Sequence, residues 1–171
     1  MINNYYVNED EIIKSIRQSL IINSELDSKQ ILNAESVGGI DLVKYINEYQ
    51  QESLSLSNLI LLFNIDRDND NLNMSEEDNG KIRSVESFSC LITIYGDDSS
   101  SLSNLLKLRL LSNGNREYLL DNHIHLIRIS NITEMSEYIN ETYWNRQDFT
   151  IYFEVEKIYD RVIIPQKIEM L

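Results

Sequence analysis

The sequence predicts an α+β domain: a mostly antiparallel four-stranded sheet packed on one face by two or more helices. Three observations carry that prediction. Phe149, Ile151, Phe153 and Val155 alternate with Thr150, Tyr152, Glu154 and Glu156, the period of a half-buried strand. Leu102, Leu105, Leu106 and Leu110 recur at the spacing of a helix with one apolar stripe. Ile12, Ile13, Ile16 and Leu20 do the same near the N-terminus. At 171 residues the chain suffices for one domain with a real core. Residues 1–160 read as that domain, and 161–171 as a C-terminal arm holding the only proline, Pro165.

Asn8 to Ile22 reads as the first helix, with Asn8 as its cap and Glu11 as the reciprocal partner of a capping-box-like start. Asn23 to Lys29 has loop chemistry. Gly38-Gly39 then punctuates the chain before a second helical pattern, Asp41 to Gln51, where Leu42, Tyr45, Ile46 and Tyr49 share a face. Leu59, Leu61, Phe63 and Ile65 alternate as in a strand, although a short buried helix gives a similar run. Residues 66–81 are almost wholly polar and read as a long, mobile acidic loop.

From Ile82 to Tyr95 the pattern is a strand again, with Phe88, Cys90, Ile92 and Ile94 on one face. It forms an antiparallel hairpin with Leu59–Asp66, the acidic loop at its tip. Asp97, Asp98 and Ser99 are cap candidates for a helix from Ser100 to Leu111, which Asn113-Gly114 stops. His123 to Ile129 is the third strand. Ile132 to Thr142 reads as irregular or briefly helical, because Met135, Tyr138 and Ile139 have helical spacing. Phe149 to Val155 is the fourth strand, and its polar alternates leave the far face to water or to a neighbouring subunit.

Charge is the sharpest compositional fact. Against 15 Lys and Arg stand 28 Asp and Glu, giving a formal net charge of −13. Such a chain does not wrap DNA through phosphate neutralisation, which needs clustered cations. The acidity suits solubility, or a surface that lies near DNA without holding it. Leu59 to Phe63, the longest apolar run, cannot span a bilayer, and Met1-Ile2-Asn3-Asn4 lacks the regions of a signal peptide. Cys90 is the single cysteine and sits in a strand pattern, so it reads as a small core residue in a soluble intracellular product.

Few residue patterns offer chemistry. Asp66, Asp68, Asp70, Leu72, Met74 and Glu77 fall at the ligand positions of an EF-hand calcium loop, and Ca²⁺ takes six to eight oxygens with a bidentate carboxylate at the end. Asn71 stands where such loops have glycine, Asn73 where they have an apolar residue, and the flanks read as strands. Asp66, Asp68, Asp70 and Glu77 are therefore weak metal candidates beside the plainer reading of a solvated hairpin tip. His123 and His125 would project from one face of a strand, as paired ligands can, with ordinary sheet residues as the alternative. The chain has neither a Gly-x-Ser-x-Gly elbow nor a phosphate-binding glycine loop. Cys90 sits mid-strand, where a nucleophile would be hidden. Glu154 and Glu156 suit a strand's outer face as well as they suit acid–base work. The expectation is a non-enzymatic protein without a cofactor. Trp144 and Arg146, two residues apart before the last strand, read equally as packing at the core edge and as an interface pair.

The stretch from Ile92 to Val155 resembles the neck or tail terminator family of tailed phages and phage-tail-like particles. The matching pieces are Thr93-Ile94-Tyr95-Gly96-Asp97-Asp98, the leucine helix, Ile124-His125-Leu126-Ile127-Arg128-Ile129, and Tyr143-Trp144-Asn145-Arg146-Gln147-Asp148-Phe149. The chain departs from the family where Gly38-Gly39 and a helical pattern replace prolines, and in its longer acidic loop. The resemblance implies a virion protein, assembled in the host cytoplasm, that sits as a hexameric ring on the last ring of the tail tube protein. Such a ring stops tube polymerisation and docks the head–neck connector or sheath protein, while DNA passes through without specific binding. It also implies no membrane partner. Negative charge on Asp66–Glu77 would then face a lumen or rim. Two alternatives stand beside it: a neck adaptor or tail-completion protein at another level of the same axis, and a calcium-responsive binding module using Asp66–Glu77.

Overall fold

A computed structural model describes residues 9–33, 60–76, 81–139 and 141–160. The helix expected over 41–51, the Asn8 cap, Glu77 and the arm 161–171 lie outside these residues. The first helix, α1, runs Glu9–Ser24, with Glu9, Asp10 and Glu11 in its first turn, where carboxylates favour the helix dipole. A single 3-10 turn, Ser28–Gln30, follows. Asp27 caps it by accepting from the Lys29 amide at 2.9 Å, while the Gln30 side chain accepts from the Asp27 amide at 3.0 Å.

The strands are β1 (Ile31–Asn33), β2 (Ile60–Glu76), β3 (Lys81–Tyr95), β4 (Ile124–Ile129), β5 (Thr133–Ile139) and β6 (Thr142–Asp160). Between β3 and β4 come helices α2 (Ser99–Leu110) and α3 (Asn113–Asp121). Gly96 makes the turn out of β3 with φ 134°, a backbone region open to glycine. Asp98 occupies the cap position of α2 but makes no side-chain cap bond.

The sheet is α+β in class as expected, and differs in detail. Among the described residues it has six strands rather than four, in the order β1-β2-β3-β6-β4, with β5 also on β6. β1 joins β2 in parallel, so the sheet is mixed. Because β3 and β5 both pair with residues 146–148 of β6, β5 lies on the same side of β6 as β4. The expected hairpin is present, with Phe63 opposite Ile92 and Ile65 opposite Cys90.

Three local expectations are corrected. The polar stretch read as a loop is strand as far as Glu76, with a register irregularity between Asp68 and Asn73. Polarity keeps a segment out of a core without stopping it from extending, and β3, already held by β6, supplies the ladder bonds. Residues 133–139 are strand β5 rather than helix, because the start of β6 lies alongside and puts Tyr138 opposite Tyr143. Asn113-Gly114 begins α3 instead of only ending the leucine helix. The Ser112 hydroxyl caps it by accepting from the Asn115 amide at 3.4 Å.

The core fills one face of the sheet. Ile12, Ile16 and Leu20 of α1 and Leu102, Leu106 and Leu110 of α2 cover the inward rows of β3 and β6. Phe88 and Phe153, directly opposite in register, stack with ring centroids 5.6 Å apart and an interplanar angle of 8°. Cys90 is fully buried beside them. Buried Asn115 ties the three helices together: its Oδ1 accepts from Ser19 Oγ at 2.7 Å and Asn23 Nδ2 at 2.8 Å, while its Nδ2 donates to the Leu110 carbonyl at 2.9 Å. Farther along the same inward row, Glu86 is buried, bonding Lys157 Nζ at 2.7 Å and Arg67 at 2.8 Å. No helix among the described residues is long and apolar enough to cross a membrane.

Candidate interaction surface

The outer face of the sheet divides into a closed end and an open middle. At the closed end, Thr93, Tyr95, Ile139 and Trp144 are buried. Tyr95 stands opposite Arg146 across β3 and β6, and Glu137 opposite Trp144 across β5 and β6. The Tyr95 hydroxyl donates to Glu137 Oε2 at 2.7 Å, and Arg146 donates to the same oxygen at 2.8 Å. Arg146 also grips Asp148 through Nε at 2.9 Å and NH2 at 2.7 Å. Burial, and then the Glu137 carboxylate, hold the Tyr95 phenol well above its ordinary pKa. The Tyr95 hydrogen bond, and after it Arg146, hold Glu137 below the usual carboxylate range. The arrangement is a clamp: a charged, hydrogen-bonded knot that fixes the β5–β6 hairpin against β3.

Trp144 and Arg146, singled out from sequence, are thus brought together here. Trp144 is buried, and its indole N–H finds no acceptor among the described residues. Arg146 is held by carboxylates of its own chain.

The open middle carries a groove of about 300 Å³. Ser87 and Ser89 of β3 form its floor, with Asp66 of β2 on one side and Tyr152, Glu154 and Arg128 on the other. The Arg128 guanidinium lies over the Tyr152 ring, 3.5 Å from its centroid. Just before it, a register shift between Leu126 and Arg128 pushes Ile127 outward to 52 % exposure. On the other face by strand alternation, the β5–β6 hairpin ends in an exposed aromatic pair, Tyr138 and Tyr143, with centroids 4.8 Å apart. Glu141, at φ 63°, forms the adjoining turn. Sequence reading missed both features, because the groove is assembled from four strands and the tyrosine pair depends on β5.

The metal candidates are not gathered into a loop. Asp66, Asp68 and Asp70 lie along extended β2, and Glu77 is outside the described residues. His123 sits in a turn at φ 60°, one residue before the strand that carries His125. Among the described residues no group of three His, Cys, Asp or Glu side chains converges as a metal site. Glu154 lines the groove, whereas Glu156 is paired with Arg83.

A protein-family model described as phage neck terminator protein matches residues 12–169 of the chain, which takes in every described strand and most of α1. A search of curated proteins returned no match.

Proposed function

Because the chain belongs to the family of phage neck terminator proteins, and is thereby a structural protein of the phage neck or tail, we propose that it closes the top of the tail tube as a hexameric ring. The ring ends tube polymerisation and presents the next docking surface to the head–neck connector or sheath protein. Beyond family membership, one observation supports this reading. The sheet has one face filled by helices, while the other holds a charged groove beside the outer edges of β4 and β5, which have no strand partner among the described residues. A cyclic ring joins two different surfaces of each copy head to tail, so a structured open face is what it needs. The outward Ile127 bulge and the charges around it guard that edge against indiscriminate strand pairing.

Negative-stain microscopy with light scattering on concentrated purified protein tests the ring. Closed hexameric particles are expected; a species that stays monomeric at every concentration, or a ring of another order, contradicts the proposal.

Asp68 and Asp70, farther along β2 than the groove, belong to the acidic run that we place at the lumen or rim. Carboxylates there repel phosphate and let DNA through without binding it. Replacing both with asparagine is expected to slow DNA passage and lower infectivity, measured by ejection kinetics and plaque counts. Unchanged values for both would remove this run from the DNA path. A calcium-responsive module would need Asp66–Glu77 to curl around an ion, and no observation on extended β2 favours it.

A further inference from the structure

The groove and the tyrosine-bearing hairpin are opposite halves of one contact. We propose that the β5–β6 hairpin of one copy, with Tyr138, Tyr143 and Glu141, seats in the Arg128–Tyr152 groove of the next copy. The inference rests on the ring reading and names the contact that would build it.

The charges match. Arg128 has its guanidinium fixed over Tyr152, yet it has no carboxylate or carbonyl acceptor among the described residues. Most other described arginines are committed: Arg17 to the Ser28 carbonyl, Arg67 to Glu86, Arg83 to Glu156, Arg109 to Glu25, and Arg146 to Glu137 and Asp148. Only Arg116, on an exposed position of α3, shares the condition of Arg128. A guanidinium stacked on a ring keeps its donor edge available for a carboxylate. Glu141 supplies one at an exposed turn, with no cation partner of its own among the described residues.

The shapes and chemistry match as well. Tyr138 is 61 % exposed and Tyr143 is 76 % exposed, although tyrosine is a residue that interfaces favour as a buried anchor. The groove offers a ring and a cation as walls, and Ser87, Ser89, Asp66 and Glu154 as acceptors for phenol hydroxyls. The clamp of Tyr95, Glu137 and Arg146 holds the hairpin stiff before it docks, which lowers the ordering cost of association. Hairpin and groove are separate surfaces, as a head-to-tail contact requires.

Sedimentation velocity on five proteins decides the matter: wild type, Arg128→Glu, Glu141→Arg, the double exchange, and Arg116→Glu as a surface control, with thermal melting to establish folding. Each single exchange places like charges together and is expected to raise the concentration needed for assembly by at least about tenfold. The double exchange restores opposite charges and returns assembly to within roughly threefold of wild type, with Arg116→Glu unchanged. Should either single variant misfold, Tyr143→Ser serves in its place, with the same expected loss of assembly. Single variants that assemble like wild type, or a double variant no better than the singles, overturn this contact and leave the ring standing. A wild type that never assembles overturns the ring itself.

Discussion

Replacing Glu86 with alanine is expected to destabilise the fold by about 3–5 kcal/mol, read as a drop in the midpoint of urea unfolding. Glu86 is 3 % exposed and serves two cations at once, Lys157 from β6 and Arg67 from β2. Removing a buried carboxylate costs more than its pair contributes, because the Lys157 ammonium, 7 % exposed, loses the anion that its burial was matched to. The charge itself is the testable element. Glu86→Leu combined with Lys157→Met replaces both ions with apolar groups of similar size. This double variant is expected to recover most of the loss. A double variant as unstable as Glu86→Ala would mean that packing, rather than the loss of the Glu86 anion beside Lys157, sets the cost.

Phe153→Ala is expected to be comparably damaging, at about 3–5 kcal/mol by the same measurement. Phe153 is 1 % exposed and stacks on Phe88 at the centre of the β3–β6 ladder, beneath the helices. Truncation opens a cavity there and removes the partner ring, and central strands paired on both sides have little freedom to collapse into the gap. Small domains hold only about 5–15 kcal/mol in all, so either variant is expected to sit near the edge of folding. Tyr143→Ala, on the exposed hairpin, makes the contrast and is expected to shift unfolding little. If the Phe153 and Tyr143 variants lost equal stability, the assignment of the core to the helix-covered face would fail.

Where apolar residues repeat, the sequence was legible. Ile12 and Ile16 of α1, Leu102, Leu106 and Leu110 of α2 and the alternating rows of β3 and β6 each advertise a buried face and are found there. Leu105, read as part of the same stripe, is instead 39 % exposed because it sits at the margin of the helix face. The elements that were hard to read have no such row. β2 beyond Asp66 is polar, so its strand character comes from the neighbour it bonds to, which the local sequence does not record. In β5, Met135, Tyr138 and Ile139 imitate helical spacing, yet Glu137 and Tyr138 are placed by Tyr95 and Tyr143 across the sheet. The Asp27 to Gln30 capping box, by contrast, is a signal carried within four consecutive residues. For the candidate surface, Trp144 and Arg146 drew notice through residue type. Arg128 did not stand out, because its stacking on Tyr152 joins positions on two different strands.

The position of β6 also governs when the subunit becomes complete. It is the last of the described strands to be synthesised, yet it is the one to which β3, β4 and β5 all bond. Until residues 142–160 have been made, the inward rows of β3 and the stripes of α1 and α2 lack Phe149, Ile151, Phe153 and Val155, which share their core. The β3–β6 pairing, from Lys81 with Asp160 to Tyr95 with Arg146, is also the longest-range in sequence among the described strands, and pairings of that kind form late and leave apolar surface exposed until they do. The hairpin and the groove both draw on β6, through Tyr143 on one side and Tyr152 on the other. A chain still lacking residues 142–160 therefore has neither half of the proposed contact.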